Sequence, residues 1–293
     1  MKAPPGIRSS APIRVRPIAI TTILGALFAA GCAHGRPNDE PTTLPAANAI
    51  RLADGWQATV LVHREDSIIL TLPSGDQQLQ RYDRQAGLTL IVDATGRVSL
   101  RLDSLTLRSK DSNAAVPVAA TWSGRAGDAN VSAMRVTAGG NPAAELTAVV
   151  RNLLPRLPPE GVRARMTWSD SSTGEVRVDI FRASEHRTAK WSAGTLSERS
   201  GKSVLPVQLR EEFEQLGDGT QGGRKLTMTS QGRRSGIYYV MSDGRMSGAE
   251  LTDSVAMMIS VPDLRQVVPT TRYARTSVRF LYLPKTDPSQ SGE

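Results

Sequence analysis

The chain has 293 residues, with 36 basic and 28 acidic side chains, a formal net charge of +8, 39% apolar residues and one cysteine. A lone cysteine excludes intramolecular disulfides, so any fold must rest on its core. Four of the basic residues, Lys2, Arg8, Arg14 and Arg16, lie in the first 16 residues, and without them 32 basic side chains face 28 acids; a balance of +4 argues against a nucleic-acid partner.

That basic, acid-free start leads into an apolar run from Ile18 to Ala30, 13 residues interrupted by Thr21 and Thr22. A membrane-spanning helix needs roughly 20 apolar residues, so the run reads as an export signal rather than a span. Its end, Leu27-Phe28-Ala29-Ala30-Gly31-Cys32, resembles the lipobox of bacterial lipoprotein precursors, although Ala29 stands where that family favours leucine. The resemblance covers residues 1–32 and implies a signal peptide of residues 1–31, cut between Gly31 and Cys32, with the Cys32 thiol diacylated by chains such as palmitate. Each buried methylene contributes about 0.8 kcal/mol and two chains hold stably, so the membrane is the expected partner through acyl chains on Cys32. Within that family, Ala33 after the cysteine, in place of aspartate, implies the outer membrane, facing the periplasm.

Residues 32–49 are proline-rich and poor in large apolar groups, the composition of a flexible lipidated tether; residues 284–293 have the same character and read as a disordered tail. The region between has a period of two. An N-terminal β half (50–140) holds expected strands at 57–63, 67–72, 86–93 and 98–107. In the last of these, Val98, Leu100 and Leu102 alternate but Leu105 and Leu107 resume one residue out of phase, which predicts a β-bulge near Asp103-Ser104. Ser74-Gly75, Thr95-Gly96 and Asp243-Gly244 supply hairpin turns.

Residues 142–154 break the pattern. Leu146, Val149, Val150 and Leu153 follow helical spacing, Asn141 can cap the start, Pro142 suits the first turn and Pro155 stops the run, which predicts a connecting helix within 141–160. The C-terminal β half (161–283) holds expected strands at 162–169, 174–182, 224–230, 236–241, 249–260 and 274–282. Residues 204–217 fit helix or strand; strand is preferred because Gly217-Asp218-Gly219-Thr220-Gln221-Gly222-Gly223 then closes a hairpin. Thr95-Gly96-Arg97 before Leu102-Asp103-Ser104-Leu105 echoes Asp243-Gly244-Arg245 before Thr252-Asp253-Ser254-Val255, a pattern open to duplication or to shared hairpin composition. Leu153-Leu154-Pro155-Arg156-Leu157-Pro158, Trp168-Ser169-Asp170 and Gly236-Ile237-Tyr238-Tyr239 with Asp243-Gly244-Arg245 resemble uncharacterised β-rich bacterial lipoproteins, a family that implies no activity.

No catalytic, cofactor-binding or metal residues emerge from motif spacing. His34, His63 and His186 lack neighbouring ligands at metal spacing in sequence, Gly232-Arg233-Arg234-Ser235-Gly236 is not a nucleophile elbow, and Gly201-Lys202-Ser203 lacks the first glycine of a phosphate loop. Glu211, Glu212 and Glu214 form an acidic cluster in which alternation puts Glu212 and Glu214 on one strand face, and a hydrolase would require Glu212 or Glu214 in a cleft opposite another acid. Met228, Met241, Met246, Met257 and Met258 can line an apolar cavity, and Arg224-Lys225 and Arg233-Arg234 fall near expected hairpin ends. The expected fold is therefore mainly β: an antiparallel, strongly curved sheet, or two half-barrel-like sheets, with one connecting helix. The expected function is a non-enzymatic, membrane-anchored envelope lipoprotein that binds a lipophilic molecule or a partner protein, with a scaffolding lipoprotein and an envelope hydrolase as alternatives.

Overall fold

The computed structural model describes residues 49–109, 113–115, 120–125, 141–178 and 180–282; the expectations for the signal, Cys32, the tether and the tail lie outside them. In chain order the elements are β1 (Trp56–Thr71), β2 (Gln77–Val92), β3 (Arg97–Ser109), β4 (Asn113–Ala115), β5 (Thr121–Arg125) and α1 (Asn141–Val150), then β6 (Thr167–Val178), β7 (Phe181–Ala193) and β8 (Ser197–Arg199). The last four strands are β9 (Lys202–Gln221), β10 (Arg224–Met241), β11 (Met246–Val261) and β12 (Gln266–Leu281).

All twelve strands belong to one antiparallel sheet, ordered β4-β3-β2-β1-β12-β11-β10-β9-β7-β6, with β5 on β3 and β8 on β9. This corrects the expected architecture: the sheet is neither closed into a barrel nor strongly curled, and there are not two half-barrel-like sheets. The reason is the pairing of β1 with β12, which runs from Thr59 opposite Leu281 to Leu70 opposite Thr270 and stitches both sequence halves into one ladder. Sheets bend sharply at bulges. Among the described ladders, register shifts occur at Gly87/Leu88 and at Tyr239/Val240. The first sets Ser104 opposite Gly87 and Leu102 opposite Leu88, so Asp103 is the extra residue that the phase slip predicted.

Period-two patterning makes one face of this sheet inward. In β7 the odd positions from Phe181 to Ala193 are all buried, while the even ones are exposed except for half-buried Ser192. At one end that face carries the main core, in which Val60, Leu88, Leu90, Leu100, Val207 and Val240 pack with Leu146, Val149, Val150 and Leu153 from α1 and the turn after it. Each such side chain contributes about 1.5–3 kcal/mol when fully buried. Tyr238 Oη donates to the carbonyl of Asn152 (2.9 Å) and Trp168 Nε1 to that of Arg156 (3.0 Å), pinning the segment after α1 to the sheet. Trp168 also stacks on Trp191 at 5.9 Å.

Several strands run through positions read as breaks. The expected strands 57–63 and 67–72 are one strand, β1, and 224–230 and 236–241 are one strand, β10. Residues 204–217 lie within β9, as preferred, but the strand runs to Gln221 and the turn tightens to Gly222-Gly223. Residues 174–182 are not one strand, because a hairpin turn between Val178 and Phe181 divides β6 from β7.

Candidate functional site

The strand registers set inward side chains in rows across the sheet. Near α1 the row Val62, Val278, Ala249, Tyr238, Val207, Ala193 is buried and largely apolar. Four residues further along the strands the row reads Asp66, Ala274, Asp253, Arg234, Glu211, Ala189, Asp170. Beyond it, Val268, Ile259, Met228, Gly217, Ala183 and Val176 return to apolar character. A belt of ionisable groups therefore separates the main core from a second apolar cluster of Val176, Phe181, Ala183, Leu226 and Met228.

Buried charges persist only when paired and hydrogen-bonded. Asp66, whose side chain is 0% exposed, serves three guanidiniums: Arg64 Nε lies 3.1 Å and 3.2 Å from its oxygens, Arg272 Nε donates at 2.8 Å, and Arg84 Nη1 closes on Oδ2. Arg64 continues to Asp253 (3.1 Å) and Thr276 (3.0 Å). Arg234 Nε donates to Asp253 at 2.6 Å, and its Nη1 donates to Glu211 at 2.7 Å and to Asn152 Oδ1 at 2.9 Å. Glu211 also accepts from Arg187 (3.2 Å). Next to this chain, Arg151 donates to Glu185 (2.7 Å), whose other oxygen takes the amide of Gln215 (2.7 Å).

Burial pushes the Asp66 carboxyl up, but attraction from Arg64, Arg272 and Arg84 outweighs it and holds the group below the usual carboxylate range. The same balance favours ionised Asp253, where burial is overcome by Arg234 and Arg64, and ionised Glu185, where it is overcome by Arg151. At Glu211 burial wins over Arg234 and Arg156, and the carboxyl titrates above its ordinary value. Asp170 is likewise raised by burial against Arg156.

Above the belt, between α1 and the sheet, lies a cavity of about 320 Å³. Ala148, Arg151 and Asn152 form its helix-side wall, and Arg64, Arg84, Arg234 and Arg272 line its floor. Ile68, Val178, Phe213, Val255 and Met257 supply apolar surface, and Val178 and Met257 also pack against the second cluster. Phe213 can lie flat here because Gly232 faces it across the ladder, where an added Cβ would sit 2.2 Å from the ring.

Sequence reasoning missed this site. Arg234 was expected near a hairpin end; it lies mid-strand in β10 and points inward, whereas Arg224-Lys225 does follow a hairpin turn. The available signal was parity: Arg64 follows Val62 by two positions, Arg84 precedes Ala86 by two and Arg272 precedes Ala274 by two, each on the buried face of its strand. The glutamates separate: Glu211 is buried in the belt, while Glu212 and Glu214 project from the opposite, open face, Glu212 pairing with Arg233 at 3.2 Å. That face carries a depression of about 510 Å³, and Glu212 and Glu214, side by side on β9, are the acids that line it. Of the methionines, Met257 lines the cavity; Met228, Met241 and Met246 are buried in packing and Met258 faces outward. His63 is not isolated in space: on the open face it contacts Asp83 at 2.9 Å, with Glu65 alongside, a trio brought together by the β1–β2 register. His186 meets Thr173 Oγ1 at 3.0 Å. Cys32, Gly31 and His34 lie outside the described residues.

Fold and site together define an open antiparallel β-sheet protein with a helix over one end of its inner face and an arginine-rich cavity beside it. No protein-family model and no curated protein matches the sequence. Among solved structures, DynF from the dynemicin biosynthesis pathway of Micromonospora chersina overlaps 86% of this chain and 94% of its own, at 12% identity and a TM-score of 0.25. A multiple mutant of the Rh. blastica porin overlaps 76% of this chain and all of its own, at 6% identity and a TM-score of 0.24. At such scores neither overlap bears on fold or function.

Proposed function

We propose that the protein is a lipid-anchored, non-enzymatic component of the cell envelope, held on the periplasmic side of the outer membrane through acyl chains on Cys32, that binds a lipophilic molecule against the inner face of its sheet. The observation that supports binding is the cavity beside α1, whose apolar wall continues through Val178 and Met257 to the second apolar cluster. Its volume, about 320 Å³, falls at the lower end of the roughly 300–1,000 Å³ typical of small-molecule sites. A closed core would bring side chains from both sides into contact there. The anchoring half of the proposal rests on the lipobox reading of residues 27–32.

Mass spectrometry of the full chain purified from native membranes tests both halves. The expected result is a mature species beginning at acylated Cys32, together with a stoichiometric lipophilic molecule. An unacylated Cys32 refutes the anchor. An acylated protein that carries no lipophilic molecule, and takes none up when one is offered, refutes the binding role and leaves a scaffold.

A further inference from the structure

We infer that His63, Glu65 and Asp83 form a binding site for a divalent transition-metal ion of the Zn2+ type on the open face of the sheet. The site lies on the side of the sheet opposite the cavity beside α1 and is independent of the lipophilic-binding reading.

The first support is the placement of the donor atoms. His63 and Glu65 stand two positions apart on β1, so both project from the open face while Val62, Arg64 and Asp66 point inward. The register sets Asp83 of β2 directly opposite Glu65 and diagonal to His63, within reach of both. One imidazole nitrogen and two carboxylate oxygens thus lie within 4.8 Å of one another, and His63 Nε2 is already 2.9 Å from Asp83 Oδ2. The ligands of a tetrahedral zinc, bound at about 2.0–2.2 Å, stand about 3.3 Å apart. A closing of about 1.5 Å or less, within the freedom of the exposed Glu65 side chain, completes the set.

The second support is the arrangement of charge. Like charges directly opposite each other destabilise a ladder, yet the Glu65 and Asp83 carboxylates converge instead of splaying apart. Arginines stand next to both in register, Arg275 of β12 opposite Glu65 and Arg108 of β3 opposite Asp83. Among the described residues neither arginine pairs with these acids, and Glu65 makes no hydrogen bond or ion pair. Asp83 Oδ1 is buried without a hydrogen-bond partner, so the carboxylate has an uncommitted oxygen even while Oδ2 holds His63. One divalent ion balances the two carboxylates, and a neutral imidazole adds a third donor without altering that balance.

The donor set selects the kind of ion. Calcium and magnesium take oxygen ligands, whereas imidazole joined to carboxylates suits zinc and its divalent neighbours. The His63 side chain is 42% exposed and that of Asp83 34%, so water has access to the remaining coordination positions. Three protein ligands beside an open position are the arrangement that keeps a water on the metal.

Isothermal titration of the full chain in a neutral maltoside detergent at pH 7.5, after dialysis against EDTA, tests the site with Zn2+, Ca2+ and Mg2+ as probes. Zn2+ should bind, and His63→Asn, Glu65→Gln and Asp83→Asn should each weaken it about tenfold or more, since losing even a group that only orients a metal ligand typically costs about 10–100-fold. His34→Asn and His186→Asn, which remove the other two histidines, should leave this binding unchanged. Glu65→Gln, at an exposed position, gives a second readout in thermal melts. In EDTA its midpoint should equal or exceed that of the wild type, because a like-charge pair is gone, whereas Zn2+ should raise the midpoint of the wild type alone. A wild type that binds no Zn2+, or Zn2+ binding indifferent to all three ligand variants, overturns the inference. Ca2+ or Mg2+ binding as tightly as Zn2+ and unaffected by His63→Asn reduces the site to an exposed carboxylate pair and overturns it as well. So does a lower midpoint for Glu65→Gln in EDTA with no rise for the wild type in Zn2+, which makes the trio a structural cluster.

Discussion

Asp66→Asn removes a carboxylate that Arg64, Arg84 and Arg272 share, and it changes almost no volume. Arg64, Arg84 and Arg272 would then face an amide whose NH2 repels their N–H groups, in a place where the native side chain is 0% exposed. Breaking a buried ion pair from one side typically costs about 3–5 kcal/mol, because the partner charge stays buried and unmatched. Part of that can be relieved by Arg64, which keeps Asp253 and Thr276, and by Arg272, which is partly open to water. A loss of about 3 kcal/mol is the expected value, a large share of the 5–15 kcal/mol that holds a typical domain together. Urea unfolding at pH 7, followed by tryptophan fluorescence, should show a lower midpoint with an unchanged slope. The sign of the pH dependence is fixed by the lowered pKa of Asp66: its stabilising contribution is complete above the ordinary value of 3.8 and is lost as pH falls through the still lower folded value. Wild type and variant should therefore converge in acid. A loss below about 1 kcal/mol at pH 7, or a gap that persists in acid, would refute the account of Asp66 as the hub of the belt.

Other outcomes follow from single positions. Gly244 turns between β10 and β11 at φ +82°, with an added Cβ placed 2.2 Å from the Arg51 carbonyl oxygen, so Gly244→Ala should cost well over 1 kcal/mol in urea midpoint experiments. Leu90→Ala, at a 0% exposed position in the main core, should cost about 2–5 kcal/mol by the same assay. Gly232→Ala drives a methyl into the Phe213 ring and should cost about 1–3 kcal/mol; a neutral result would mean the ring moves freely. Cys32→Ser should shift the protein from the membrane pellet to the soluble fraction on ultracentrifugation, and retention in the pellet would contradict acyl anchoring.

The inner face was legible wherever it is apolar. Alternation located the strands, Leu105 and Leu107 disclosed the Asp103 bulge, and Leu146, Val149, Val150 and Leu153 disclosed α1 and the turn after it. It failed where inward residues carry charge. Arg64, Asp66 and Arg234 read as solvated breaks because a single sequence shows parity but not the partner across the ladder, and so β1 and β10 were each divided in two. The joining of β1 to β12 was also hidden, since nothing local in either strand names a neighbour more than 200 residues away. An expected pair of half-barrel sheets followed from that gap. The cationic cavity was missed for the same reason: six arginines scattered from Arg64 to Arg272 become a site only through register.

The β1–β12 ladder also dictates a schedule. It lies near the middle of the strand order, yet its second strand is among the last residues of the fold, ending at Leu281. Without β12 the strand order is cut between β1 and β11, and each would be left with an unpaired edge. Contacts this distant in sequence make folding slow, since the loop between them must be closed before the pairing repays it. The ladder between β1 and β12 is thus the step of folding for which both halves of the described sheet must already be present.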